Sequence, residues 1–340
     1  MIIARAPFRL PIGGGGTDLP SYYEQFEGSL ITAAINKYMY LNINEPAVSN
    51  VIKVGYSRTE IVPFPKFENI QHDIVRETIK YLQARKPLEI NSVADLSAGT
   101  GMGSSSSYTV ALLKALNTLY KKDKSVQDLA EEACMVEINL CKKPIGKQDQ
   151  YAAAFGGIIQ MNIAKDGKVN VEHLELDKEV IHELEDRLMM FYTDIQRDAN
   201  IILGEQSQKI KAAFSSNIEK GSNFTALDAM HKIKEIGFEI KKCLFSGDID
   251  QIGNLMHDHW TIKKKVSTSM SNPSIDAWYN LAVTQGALGG KIMGAGGGGF
   301  FVFIVKKGSR TSLKNALEKS GLKHMDFKFD FEGVKVLANV

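Results

Sequence analysis

Asp95-Leu96-Ser97-Ala98-Gly99-Thr100-Gly101-Met102-Gly103-Ser104-Ser105-Ser106-Ser107-Tyr108 alternates three glycines, then runs four serines into an apolar helical pattern of Val110, Leu112, Leu113, Ala115, Leu116 and Leu119. Glycine allows backbone angles and close approaches that a β-carbon blocks. Serine is a preferred N-cap, and a helix N-terminus offers unpaired N–H groups with partial positive charge. A glycine loop feeding a serine-capped helix therefore reads as a cradle for a phosphate chain. The same composition also suits a flexible linker ahead of an ordinary capped helix.

Around this loop lie 340 residues with 44% hydrophobic and 24% charged side chains, ordinary values for a globular protein. That length favours two domains, and the texture changes near residue 186, so the expected division is 1–186 and 187–340. The net charge is +2, and no basic stripe of the kind nucleic-acid proteins carry is visible. Cys134, Cys141 and Cys243 cannot all pair and have no metal-ligand spacing, which fits a reducing compartment. The first residues lack a signal-peptide layout and no apolar run approaches a membrane span, so a cytoplasmic protein without membrane contact is expected.

Along the chain, Ile2 to Ala6 reads as a short strand ending at Pro7. Gly13-Gly14-Gly15-Gly16-Thr17-Asp18 follows, an exposed backbone loop ending in a carboxylate, with Asp18 as ligand contact or as helix cap. Gly28 to Ile35, Lys37 to Ile43, Val51 to Tyr56 and Leu88 to Ala94 read as strands. Helices are expected over 72–84, 104–120 and 125–141, the last capped by Ser125. Glu137 sits there among apolar neighbours, and Asp149 lies on a short polar segment where it could equally cap a turn. Leu188 to Thr193 reads as a strand, followed by long helices over 200–214, 223–245, 248–265 and 274–285. His257 and His259 lie two apart on a helix and so point to different faces, which argues against a shared metal. Gly294, Gly296 and Gly299 match a dinucleotide fingerprint, but a strand (Phe300 to Val305) follows where that motif needs a helix. The better reading is a glycine turn, including Gly297, between two strands.

Three glycine-rich stretches in this order resemble the motifs of the GHMP kinases, over nearly the whole chain. Pro7-Phe8-Arg9-Leu10 through Thr17-Asp18 resembles the form found in kinases acting on an anomeric sugar hydroxyl. The central loop resembles the family's phosphate loop, with Ser97 and Met102 replacing its proline and leucine, and Lys291 to Gly299 matches the third motif. The resemblance implies a two-domain α/β (α+β) fold. Its N-terminal half would be ribosomal-protein-S5-domain-2-like with a left-handed βαβ crossover, and its C-terminal half ferredoxin-like with added helices. It further implies an ATP- and Mg²⁺-dependent phosphotransferase. Gly99, Thr100, Gly101, Met102, Gly103 and Ser104 would bind ATP phosphates, and Ser105 and Glu137 would bind Mg²⁺. Asp149 would be the catalytic base and Arg9 its electrostatic partner, with Gly15, Gly16, Thr17 and Asp18 against the sugar and Gly294, Gly296 and Gly297 in the third-motif loop. The acceptor it suggests is the C1 hydroxyl of heptose 7-phosphate on a route to GDP-heptose, with unphosphorylated fucose or arabinose as the alternative and a non-catalytic binding protein behind both. A 7-phosphate needs a basic pocket, for which Arg197, Lys263, Lys264 and Lys265 are candidates, and a homodimer is a further expectation.

Overall fold

The computed structural model describes residues 1–196, 199–215, 225–266 and 270–340. The first sheet is built from β1 (Ile2–Gly13), β2 (Gly28–Asn44), β3 (Val51–Gly55), β4 (Thr59–Pro63), β5 (Glu89–Ala94), β6 (Ile158–Ile163) and β7 (Val169–His173). The second is β8 (Leu188–Tyr192), β9 (Ala287–Ile292), β10 (Phe300–Val305) and β11 (Lys323–Met325), hydrogen-bonded in the order β11-β8-β10-β9. β12 (Lys335–Asn339) then returns to the first sheet beside β1, giving the order β12-β1-β2-β5-β3-β4 with β6 and β7 on the other half of β2. β3 and β5 run parallel and every other pair is antiparallel.

β1 does not stop at Pro7. It continues through Arg9 and Pro11 to Gly13, because ladder irregularities fall after Pro7 and Pro11. Proline cannot donate to a ladder and is tolerated where pairing slips. β2 likewise runs unbroken where two strands were expected, and the first irregularity lies opposite its Ile35–Tyr38 stretch.

The helices are α1 (Pro20–Phe26), α2 (Asp73–Tyr81), α3 (Ser104–Leu119), α4 (Val126–Cys134), α5 (Gln148–Phe155), α6 (Lys178–Arg187), α7 (Ala199–Ser215), α8 (Ala226–Ser246), α9 (Ile249–Val266), α10 (Pro273–Thr284) and α11 (Arg310–Lys319). Ser125 caps α4 as its sequence suggests, accepting from the Asp128 amide. The helix expected to reach Cys141 instead widens after Cys134 into a π-helical turn over Met135–Leu140. Such turns re-aim side chains and are frequent at functional sites. α3, α5 and α8 all pack on β1 and β2, while α9 packs on β9 and β10. No helix among the described residues is long and apolar enough to cross a membrane.

This arrangement puts β1 at the centre of the main core, with Phe8, Leu10 and Ile12 almost wholly buried. Phe8→Ala is expected to lower stability by about 3–5 kcal/mol, the usual cost of emptying a buried aromatic site. Urea unfolding would measure it. A loss below about 1 kcal/mol would show that β1 is not the strand on which the core is built.

Candidate active site

A cavity of about 340 Å³ opens where the first sheet meets the α9–β9 layer. β1, the Gly15–Leu19 turn, the 98–106 loop, the start of α5, and residues of α7, α9 and β9 all contribute to its wall.

The loop before α3 meets the helix differently from the serine cap that its sequence suggests. The N-cap is Gly103, left-handed at φ 80°, and no side chain caps the helix. The serines are spent elsewhere: Ser107 donates to the Pro7 carbonyl at 2.8 Å and Ser105 donates to Glu137. A helix leaves its first amides without intrahelical partners. With no side-chain cap, those of α3 face the cavity backed by the helix dipole. Gly99, Gly101, Gly103 and Ser104 line the cavity. Met102 does not, since its side chain is buried in the core, and Thr100 donates to the Ser97 carbonyl at 3.0 Å.

Glu137 is fully buried on the π-turn, and Ala130, Ala133 and Cys134, one and two turns before it at helical spacing, are buried as well. Its carboxylate accepts from Ser105 Oγ and, at 2.8 Å, from Gln150 Nε2. Lys143 Nζ stands 2.9 Å from Ser105 Oγ and 3.4 Å from Glu137 Oε1. An ammonium thus sits where the two oxygens converge.

Beside the loop before α3, Arg9 grips Asp149 with one edge of its guanidinium: Nε to Oδ1 at 2.6 Å and NH2 to Oδ2 at 2.9 Å. Its remaining arm donates to the Gly101 carbonyl at 2.7 Å. Asp149 is in the first turn of α5, within the helix rather than capping it. Its side chain keeps 27% exposure, against 6% for that of Arg9. The carboxylate can therefore still be reached from the cavity, and a carboxylate has lone pairs beyond the two used here.

Asp18 joins this wall from the glycine turn. Its carboxylate accepts the amides of Gln148 at 3.0 Å and Gly16 at 3.1 Å. Burial pushes its pKa up, and the Gln148 amide opposes that shift. Gly15 and Gly16 also line the cavity, but Thr17 does not. The Thr17 hydroxyl donates to the carbonyls of Gly14 and Ser29, so it holds the turn closed instead of offering itself to a ligand.

In the third glycine stretch, Gly294 packs against Gly101 and lines the cavity, while Gly297 donates to the Met270 carbonyl at 2.9 Å. Gly296 also packs on Met270, away from the cavity wall. Of the basic residues considered from sequence, Lys263 reaches the cavity and donates to the Gly294 carbonyl at 3.0 Å. Lys264 pairs with Asp276 and Lys265 is exposed. Arg197 lies outside the described residues.

Sequence reasoning missed Lys143, Gln148, Gln206, His259 and Lys291 as cavity residues. His257 and His259 do diverge: the first contacts the Tyr279 hydroxyl, the second lies beside Lys291. No cluster of potential metal ligands occurs among the described residues. The one available clue was Lys291 itself, a lysine inside an otherwise apolar and glycine strand.

The model of the GHMP kinases N terminal domain matches residues 73–157, and that of the GHMP kinases C terminal region matches 240–323. A D-glycero-alpha-D-manno-heptose 7-phosphate kinase of Campylobacter jejuni is 30% identical over 98% of both chains. The chain belongs to the GHMP kinase family. A galactokinase of Thermococcus kodakarensis is 28% identical over 91% of this chain and 90% of its own. The crystal structure of a D-glycero-D-manno-heptose 1-phosphate kinase from Bacteroides thetaiotaomicron superposes over 100% of both chains, with a TM-score of 0.80 and 25% identity. The two sheets and their helices are thus the GHMP kinase fold, and this GHMP kinase is an ATP-dependent phosphotransferase.

Gly146 probes the acceptor wall of this GHMP kinase, because a Cβ there would lie 1.9 Å from Asp18 Oδ2. Gly146→Ala is expected to drive that carboxylate off the Gln148 amide. The KM for the acceptor should rise about tenfold or more, with the KM for ATP nearly unchanged. Equal rises in both constants would show that Asp18 does not belong to the acceptor side.

Proposed function

We propose that this GHMP kinase transfers the γ-phosphoryl group of ATP to the anomeric C1 hydroxyl of a heptose 7-phosphate, giving the 1,7-bisphosphate for a route to GDP-heptose. The observation that carries a transfer reaction is the bidentate Arg9–Asp149 pair set directly beside the uncapped N-terminus of α3 in the wall of one cavity. Phosphoryl transfer asks chiefly for positioning and for charge stabilisation, and this cavity supplies both. The heptose is supported by the Campylobacter jejuni relative. The names of the two heptose kinases place a phosphate at different carbons, so the acceptor position rests on chemistry and on the experiment below.

In this reading the loop amides and the α3 dipole hold the nucleotide phosphates. Asp18 and the Gly15–Gly16 backbone orient the sugar. Asp149 accepts the proton of the C1 hydroxyl as that oxygen bonds to the γ-phosphorus. The bond from phosphorus to the bridging oxygen breaks, and ADP leaves with its electron pair. Arg9 cannot give up a proton, so its part is to stabilise charge on the alkoxide and the moving phosphoryl group.

The oxygens of Ser105 and Glu137 fit Mg²⁺, a hard cation that takes few protein ligands alongside phosphate oxygens and water. The Lys143 ammonium between them marks the place as one that holds positive charge. When bound, the ion would neutralise the β- and γ-phosphate oxygens.

ADP release with MgATP, measured against heptose 7-phosphate, free heptose, L-fucose and galactose, tests the proposal. Turnover is expected with the 7-phosphate. Asp149→Asn should cut kcat by about 10²–10⁴-fold, the usual worth of a positioned base. Turnover confined to galactose or fucose would move the assignment toward the galactokinase-like relatives. An unimpaired Asp149→Asn enzyme would remove Asp149 from the chemistry.

A further inference from the structure

Lys291 is buried to 2% exposure near the C-terminal end of β9, yet no carboxylate pairs with it among the described residues. Its ammonium has the Ile12 carbonyl at 2.9 Å and His259 Nδ1 at 3.5 Å. Isolating a cation this way is costly unless something else completes its surroundings. Burial, together with Lys263 and Arg9 nearby, pushes the Lys291 pKa well down. His259 is equally buried at 1% exposure, and burial followed by Lys291 and Lys263 pushes its pKa well down too. With Lys291 on Nδ1, a neutral His259 imidazole carries its proton on Nε2. That Nε2 has no hydrogen-bond partner. Both residues line the cavity, and Lys263 lies beside them.

Lys291 and His259 thus bring an ammonium and an unpartnered buried imidazole nitrogen to the same part of the cavity wall. The nucleotide end of the cavity is already furnished by the α3 amides and the Ser105–Glu137 pair. Lys291, by contrast, is tied to Ile12, which lies on β1 between Arg9 and the glycine turn that carries Asp18. It therefore stands on the acceptor side of Arg9. Gly15 leaves the wall beside Asp18 without a side chain, and a Cβ there would meet nothing nearer than Gln148 Oε1 at 3.7 Å.

We propose that Lys291 and His259, with Lys263 beside them, form the subsite that receives the distal phosphate of a phosphorylated acceptor sugar. The inference deepens the kinase reading above and rests on it for the orientation of the sugar. A phosphate dianion there accepts from the Lys291 ammonium and from His259 Nε2–H. Both bonds are charge-assisted, the stronger kind. The subsite would make the terminal phosphate, more than the sugar hydroxyls, the feature that separates this acceptor from an unphosphorylated one.

The test is calorimetric binding of D-glycero-D-manno-heptose 7-phosphate and of free heptose, without nucleotide, to the full chain and to His259→Gln and Lys291→Met. The wild type is expected to prefer the 7-phosphate by about 100-fold, and each folded variant to lose roughly tenfold or more of that preference. Thermal melting shows which variants fold, and if Lys291→Met does not, His259→Gln decides. Equal wild-type affinity for the two sugars overturns the inference, as does a preference that survives in the folded variants. Steady-state turnover separates the two readings. Preferential 7-phosphate binding without phosphoryl transfer would leave the subsite standing and remove the kinase assignment. Transfer to sugars with no phosphate preference would do the reverse. If the variants lose kcat/KM equally for both sugars, the cluster acts on the transferring phosphoryl group and the inference fails.

Discussion

Everything in the site hangs on how Arg9 is satisfied. A nearly buried guanidinium must have its donors met, because an unpaired charge in that position is far more costly than a surface one. Arg9 meets the demand with two other parts of the chain, the glycine loop and the start of α5. One arm donates to the Gly101 carbonyl and the Nε edge to Asp149, while its main-chain amide donates to the Met102 carbonyl at 3.2 Å. Strand β1, the glycine loop and the start of α5 are thereby fixed to one another by one residue. The loop's position follows from the needs of Arg9, since glycines alone would leave it free. That is why a composition equally suited to a linker is held here as a rigid rim.

The cavity is also divided by the way its positive charge is made. At the α3 end it comes from amides and the helix dipole, fixed partial charges that involve no buried ion and therefore little desolvation. At the α9–β9 end it comes from side chains whose burial works against their own protonation, as the lowered proton affinities of Lys291 and His259 attest. The first device suits a ligand group present in every cycle. The second suits an anionic group, which would offset the cost of burying those side chains charged. Between them stand Asp18 and Asp149, each held by N–H donors and each facing the same space.

Much of the fold was legible because it is local. The strand and helix periodicities, the Ser125 cap and the strand after Gly299 all appear where short-range pattern places them. The misreadings share one cause, tertiary pairing that overrides a local rule. Pro7 ends a strand in isolation, but paired with β2 through a slipped ladder it does not. Four serines before a helix read as caps, yet Gly103 caps while Ser105 and Ser107 turn to Glu137 and Pro7. Thr17 looks like a ligand contact by its place beside Asp18, but Gly14 and Ser29 claim its hydroxyl. Lys291 stood out only as a lysine in an apolar strand, and its pairing with His259 is a tertiary contact between β9 and α9 that no local pattern shows.

Glu137 is a buried charge that must be met where it lies, since glutamates are rarely fully buried unless paired. Ser105, Gln150 and Lys143 meet both carboxylate oxygens. The lysine is the least committed of these partners. Its ammonium also lies 3.8 Å from Asp73 Oδ2 at the surface, so moving off Glu137 does not leave it without a counter-charge. Ser105 and Gln150 are neutral and cannot replace the charge the lysine takes away. A buried carboxylate held by two neutral groups and one exchangeable cation favours whichever cation approaches with ligands of its own. In the proposed reading, a metal carried in on nucleotide phosphates would meet that condition, because it brings phosphate oxygens and water as its other ligands.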